Sequence, residues 1–229
     1  MILEVKNIEK SFDNKKIIDD VSFNIERGKI VGLLGRNGSG KTTVIKMIND
    51  LLTIDKGEIL IDGEKIGPNT KAVVSFLPER TYLESNQTIK QVFKFFEDFY
   101  SDFDRERAEK LLIDLDLDID ANLSKMSKGM KEKIQLILVM SRRAKLYILD
   151  EPLGGVDPAT RDKILETILS NFGEGSSLLI TTHLIADVEK ILDEVIFIDK
   201  GKIILNENAD KLRAKEKASI NEIFRKKVK

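Results

Sequence analysis

Eight consecutive residues, Gly35-Arg36-Asn37-Gly38-Ser39-Gly40-Lys41-Thr42, fit the pattern G-x-x-x-x-G-K-[ST] at every fixed position. Residues of these types at this spacing suit the chemistry of phosphate. Glycines let the backbone fold tightly enough for successive N–H groups to converge on an anion. A helix starting near Lys41 adds the positive end of its dipole. In such a pattern the lysine reaches the β- and γ-phosphates of a nucleotide, and the Thr42 hydroxyl is a ligand for Mg2+. The pattern carries weight only between a strand and a helix. Both are predicted, since Ile30–Leu34 is a short apolar run and residues 42–52 have helical spacing.

Leu146-Tyr147-Ile148-Leu149-Asp150-Glu151 is an apolar run that ends in two acids. It predicts a buried strand that delivers Asp150 to its C-terminal end, where ligands bind in open α/β sheets. There Asp150 would hold Mg2+, directly or through water, and Glu151 would polarise an attacking water. Taken alone, the run also reads as a strand entering a charged loop; joined to the phosphate loop, it reads as chemistry.

A third set separates this chain from other phosphate-loop proteins. Met126-Ser127-Lys128-Gly129-Met130 opens a helix about twenty residues before Asp150, Glu151-Pro152-Leu153-Gly154-Gly155-Val156-Asp157-Pro158 follows it, and Thr181-Thr182-His183 ends a later strand. In this order the motifs resemble the nucleotide-binding subunit of an ATP-binding cassette (ABC) transporter, and three departures described below resemble, more narrowly, Gram-positive exporters with a separate membrane subunit. The likeness runs from Phe12 to about Leu205.

The resemblance implies ATP and Mg2+ as ligands and ATP hydrolysis as the activity. It implies that Phe12 stacks on adenine. Gly35, Arg36, Asn37, Gly38, Ser39, Gly40, Lys41, Thr42 and Thr43 form the Walker A loop, and Leu146–Asp150 the Walker B strand. Glu151 is then the catalytic carboxylate, with Lys41 and His183 beside the γ-phosphate. Ser127, Lys128, Gly129 and Met130 correspond to the signature loop, which in this family binds ATP held by a second ATP-binding subunit. A helix N-terminus led by Ser and Gly suits that task. Asp157 belongs to the loop that links the two sites. The implied partners are that second subunit, identical or different, and a membrane-spanning permease. The implied location is cytoplasmic, peripheral on the inner face of the cell membrane.

Three positions depart from the family pattern. Glu79, in Leu77-Pro78-Glu79, replaces a glutamine and is a third candidate ligand for the metal or its water. Lys128 replaces a glycine and brings a cation. Gly154-Gly155-Val156 replaces serine, glycine and leucine. None of these removes a catalytic group.

The elements that must position these residues follow from periodicity. Residues 2–8 and 21–25 alternate as half-buried strands about a turn at Asp13-Asn14-Lys15. Further strands are predicted at 58–61, 73–77, 146–149, 178–182, 195–198 and 202–205. Residues 88–142 read as wholly helical. The expected fold is α/β: one ATP-binding domain over residues 1–229 with a parallel sheet carrying the phosphate loop, an antiparallel N-terminal part, and a helical lobe over about 80–142. Within it residues 97–120 hold ten acids against three bases, read as a solvated face. The tail 211–229 has eight Lys/Arg against two Glu, with a partial apolar stripe at Ile220, Ile223, Phe224 and Val228. That stripe reads by default as a helix lying on the domain, the alternative being the inner face of an anionic membrane or the partner subunit.

Composition bounds the rest. The 229 residues carry a net charge of −1 and no cysteine, so disulfides and thiolate metal sites are excluded. A near-neutral chain argues against duplex DNA as the main partner, and no nucleic acid is expected. A chromosome-maintenance ATPase needs a long coiled coil between phosphate loop and signature, where only 86 residues separate Lys41 from Ser127. A ribosome-acting ATPase of this superfamily carries two cassettes, and this chain has one phosphate loop. The short lobe and the lack of a C-terminal regulatory domain favour export over import.

Overall fold

The computed structural model describes residues 1–83, 86–154, 156–173 and 175–228. Two sheets form its frame. The first is antiparallel, in the order β2-β1-β4-β5, from β1 (Leu3–Phe12), β2 (Lys15–Ile25), β4 (Lys56–Ile61) and β5 (Glu64–Lys65). Asp13 and Asn14, both at positive φ, close the β1–β2 hairpin. Two left-handed residues make the turn whose twist matches that of the strands, and Asp and Asn tolerate this backbone best after glycine.

The second sheet runs β10-β9-β3-β8-β7-β6, from β3 (Ile30–Leu34), β6 (Val74–Leu77), β7 (Leu146–Asp150), β8 (Ser177–Thr182), β9 (Glu194–Asp199) and β10 (Lys202–Asn208). The four pairings from β9 to β6 are parallel, and β10 is antiparallel at the edge. Strands buried on both faces show no polar alternation, yet their side chains still alternate between two cores. Leu146 and Ile148 join one core, with Val31, Leu33, Ile196 and the antiparallel sheet. Tyr147 and Leu149 join the other, with Phe197 and the helices.

The helices are α1 (Lys41–Ile48), α2 (Pro68–Val73), α3 (Ile89–Phe99), α4 (Arg105–Asp114), α5 (Lys128–Met140), α6 (Pro158–Asn171), α7 (Ile185–Val188), α8 (Ala209–Glu216) and α9 (Ile220–Lys227). The expectation of an unbroken helical stretch over 88–142 is corrected. Asp104 and Ser127 cap new helices, a 3-10 turn occupies Leu123–Lys125, and the bridges Thr88↔Asn122 and Phe103↔Arg142 hold the intervening loops. Ser, Asp and Asn divert the backbone into caps and turns, which outweighs helical periodicity there. The helix expected over 42–52 ends at Ile48, where Asn49 and the positive-φ Asp50 turn the chain. The tail forms two helices, broken at Lys217, which has positive φ. Its apolar stripe faces inward: Ile220, Ile223, Phe224 and Val228 are buried, and Phe224 meets Phe197 edge to face at 5.2 Å. Gly155, part of the linking loop, and Lys229, the last residue of the tail, lie outside the described residues.

Candidate functional site

The parallel strands β3, β7 and β8 end together, and their C-terminal ends carry the phosphate loop, Asp150 and Thr181-Thr182-His183. At Gly35 and Gly40 the loop's contacts leave no room for a side chain. A Cβ on Gly35 would lie 2.3 Å from Ser39 Oγ and 2.6 Å from the Ile198 carbonyl oxygen, and one on Gly40 would strike Ile18. Gly40 also has φ +111° and stands at the N-cap of α1. A glycine cap offers no side-chain acceptor to the helix's first N–H groups, so these remain for an external anion. Ser39 Oγ is buried with no hydrogen-bond partner among the described residues. The loop is pinned from behind, where the Gly201 N–H donates to the Ser39 carbonyl at 2.9 Å and the Gly201 carbonyl accepts from the Asp19 N–H at 2.9 Å.

Lys41, 5% exposed, donates through Nζ to the Gly35 carbonyl at 2.9 Å and lies 3.3 Å from Glu151 Oε1. The other oxygen of Glu151 stands 2.9 Å from His183 Nδ1 and accepts from the His183 N–H at 3.3 Å. One carboxylate therefore bridges the loop lysine and the histidine that ends β8. Glu151 has φ +52°, a backbone that costs a non-glycine residue on the order of 1 kcal/mol or more. It turns the chain out of β7 immediately after Asp150.

Asp150 is 2% exposed. Its Oδ1 accepts from Thr181 Oγ1 and from Thr42 Oγ1 at 3.5 Å. Burial pushes the Asp150 carboxyl above its usual range, the two hydroxyl bonds pull it down, and the charges of Glu79 and Glu151 push it up again. Three acids thus share one end of the sheet. Among the described residues no group of three or more His, Cys, Asp or Glu is placed to hold a metal by itself. Mg2+ is usually held by one or two protein oxygens, several waters and the phosphates of a substrate. A threonine hydroxyl beside a buried carboxylate, next to a loop with free N–H groups, fits that chemistry.

Glu79 is exposed at the rim of the cleft that holds Lys41, Thr42, Thr43 and His183. It also lines a cavity of about 230 Å³ with Ser127, Gly129, Met130, Asp150 and Glu151. Ser127 caps α5, accepting from the Met130 N–H at 3.2 Å. Lys128 is exposed and pairs with Glu132 at 3.5 Å. Asp157 caps α6. Phe12 is 45% exposed at the hairpin end of β1, with Lys10 Nζ 5.6 Å from its ring centre. Phe12 is not among the residues that line the cleft of Lys41, Thr42, Thr43 and His183. Two residues here were given no role on sequence grounds. Thr181 was signalled only by a hydroxyl ending the apolar run Leu178-Leu179-Ile180, and Gly201 by nothing local, because its contact with the loop is 162 residues distant.

Residues 18–154 match the protein family described as ABC transporter. The ABC transporter ATP-binding protein YtrB of Bacillus subtilis (strain 168) is 32% identical, over 93% of this chain and 74% of that protein. The SkfA peptide export ATP-binding protein SkfE of the same organism is also 32% identical, over 89% of this chain and 87% of that protein. A solved structure titled "Structure of ATP binding subunit of ABC transporter" superposes with a TM-score of 0.90 at 28% identity, covering 99% of both chains.

Proposed function

The chain belongs to the ABC transporter family, and on that premise we propose that it binds and hydrolyses MgATP to drive a separate membrane-spanning subunit, for export. The observation that carries this reading is Glu151, held by Lys41 on one oxygen and His183 on the other at the mouth of the phosphate loop. In the proposed reaction the loop N–H groups and Lys41 hold the triphosphate, and Thr42 and Asp150, with Glu79 nearby, hold Mg2+. The metal, when bound, supplies positive charge against that of the phosphates. Glu151 accepts the hydrogen bond of the attacking water and takes its proton as the oxygen bonds to the γ-phosphorus. The bond to the bridging oxygen breaks, leaving ADP and phosphate. His183 keeps the Glu151 carboxylate turned toward that water. Phe12 is assigned to the adenine. Residues 127–130 are assigned to the ATP of a second ATP-binding subunit, whose N–H-rich helix terminus suits a phosphate.

The partner surface in this reading is an apolar groove between the sheet and α3. Phe93 and Phe96 are core residues, Tyr100 is half-buried, and Phe95 and Phe99 stack at 5.9 Å while 57% and 68% exposed. Leu51 and Tyr82, also exposed, line the same groove. A patch of this kind rarely stays bare on a monomer, and a short helix of the membrane subunit fits its shape and chemistry. Among the described residues no helix is long and apolar enough to cross a membrane. The proposed unit is one ATP-binding domain over 1–229, on the cytoplasmic face of the membrane.

The deciding experiment is Glu151→Gln. It keeps side-chain shape and loses the charge, so hydrolysis should fall at least ~100-fold while MgATP still binds. Hydrolysis at the parent rate would remove Glu151 from its assigned role.

A further inference from the structure

We propose that Thr181 is a positioning residue for the hydrolytic reaction, because its one hydroxyl fixes Asp150 and Glu151 at once. Thr181 sits opposite Asp150 in the β7–β8 register and is fully buried. Its Oγ1 donates to Asp150 Oδ1 at 2.5 Å and accepts from the Glu151 N–H at 3.1 Å. The same N–H donates to the Thr181 carbonyl at 3.0 Å. The hydroxyl has a single proton and commits it to Asp150; the lone pair it offers goes to Glu151.

The second bond falls on the residue whose backbone most needs support. Glu151 leaves the strand at φ +52°, and this unfavourable turn aims its carboxylate at Lys41 and His183. Without the Thr181 acceptor the Glu151 N–H keeps only one bond. Asp150, buried, also loses its shorter hydroxyl donor, and Thr42 at 3.5 Å is a weak substitute. Thr181 is not a catalytic residue, since it acts through Asp150 and Glu151. A hydroxyl at this position is also what a plain buried strand residue would lack; Leu178, Leu179 and Ile180 before it are all apolar.

This inference rests on the ATPase reading, and the test separates the two. The full chain is compared as parent, Thr181→Val, Thr181→Ala, Thr181→Ser and the double variant Thr181→Val with Glu151→Gln, each checked for folding by circular dichroism. Thr181→Val should lower kcat at least ~10-fold with KM changed less than about threefold, and Thr181→Ser should recover most of the rate. Adding Thr181→Val to Glu151→Gln should cost clearly less than the product of the two single losses, because the part that runs through Glu151 is already gone. ATP binding in EDTA should be unaffected, while the gain in ATP affinity on adding Mg2+ should shrink at least threefold, through Asp150. If Thr181→Val does not fold, the smaller Thr181→Ala set against Thr181→Ser carries the same comparison. A folded, hydroxyl-free variant with parental kcat and Mg2+ dependence overturns the proposal, as does a loss that Ser fails to restore or that adds in full to Glu151→Gln. A parent chain without ATPase activity sinks the function itself, and Thr181's role in it.

Discussion

Asp150 shows what the site costs the fold. It is almost wholly buried, and its carboxyl is held above the ordinary range by burial first and by Glu79 and Glu151 after. A carboxyl raised in the folded state binds protons more tightly there than in the unfolded chain. Stability therefore falls as pH rises from the ordinary value of 3.8 through the raised one, and the full cost stands at neutral pH. Asp150→Asn should raise the unfolding temperature of the nucleotide-free protein by a few degrees, roughly 1 kcal/mol, while weakening MgATP binding. Differential scanning fluorimetry without nucleotide measures the first effect, and a lower midpoint would show that the charge stabilises. At this scale the sequence was highly legible. The phosphate loop, Asp150, Glu151 and His183 lie together because fixed spacing on successive parallel strands brings them to one edge. What was not legible was the bonding of Thr181 to two neighbours, which depends on register between strands whose partners are 31 residues apart.

At the scale of elements, short polar side chains decide where helices begin. Asp104 caps α4, accepting from the Arg107 N–H at 3.0 Å and pairing with Arg143 at 2.9 Å. The Arg107 N–H and then Arg143 hold its carboxyl below 3.8. Asp104→Ala should destabilise the protein by about 1 kcal/mol in urea unfolding at pH 7. Asp104→Asn keeps a cap and loses only the charge. A depressed carboxyl stabilises above its unfolded value and loses that contribution as pH falls through the folded one, so the gap between parent and Asp104→Asn should close below pH 3.8. The same caps explain what periodicity misread. The helical spacing over 88–142 is real within α3, α4 and α5, but the stops between them are written in Asp104, Asn122 and Ser127. Asp157-Pro158 is an equally plain start signal for α6. The six residues of α2, sandwiched against β6, are too few for any period to appear.

For the molecule as a whole, the proposed work depends on a second copy or a related chain. In Glu151→Gln, MgATP that is bound but not cleaved should hold two chains together, since anything that binds only the closed pair shifts the equilibrium toward it. Size-exclusion chromatography with light scattering should show a dimer in MgATP and a monomer in ADP, and Ser127→Arg should abolish that dimer. A variant that binds MgATP yet stays monomeric would point to a non-identical partner. Transport should fail separately from hydrolysis when the groove is altered: Phe99→Glu changes a ring that is 68% exposed, so ATPase activity of the isolated chain should stay within about twofold. Association with a membrane subunit should be lost, as pull-down would show. The two-sheet layout was readable from strand periods and motif order. The tail's apolar stripe pointed to a helix lying on the domain, where Ile220, Ile223, Phe224 and Val228 are buried; the break into two helices at the positive-φ Lys217 was not readable, because nothing in the basic run marks it.

The peg formed by Gly201 behind the phosphate loop makes the molecule its own isotope clock. The Gly201 amide is bonded to the Ser39 carbonyl and the Asp19 amide to the Gly201 carbonyl, so a loop stiffened by a triphosphate slows opening at both. Deuterium uptake at residues 19 and 201 should lag in MgATP relative to the nucleotide-free chain. Those two amides lie in β2 and the β9–β10 turn, and they would report occupancy without any label or substitution at the site.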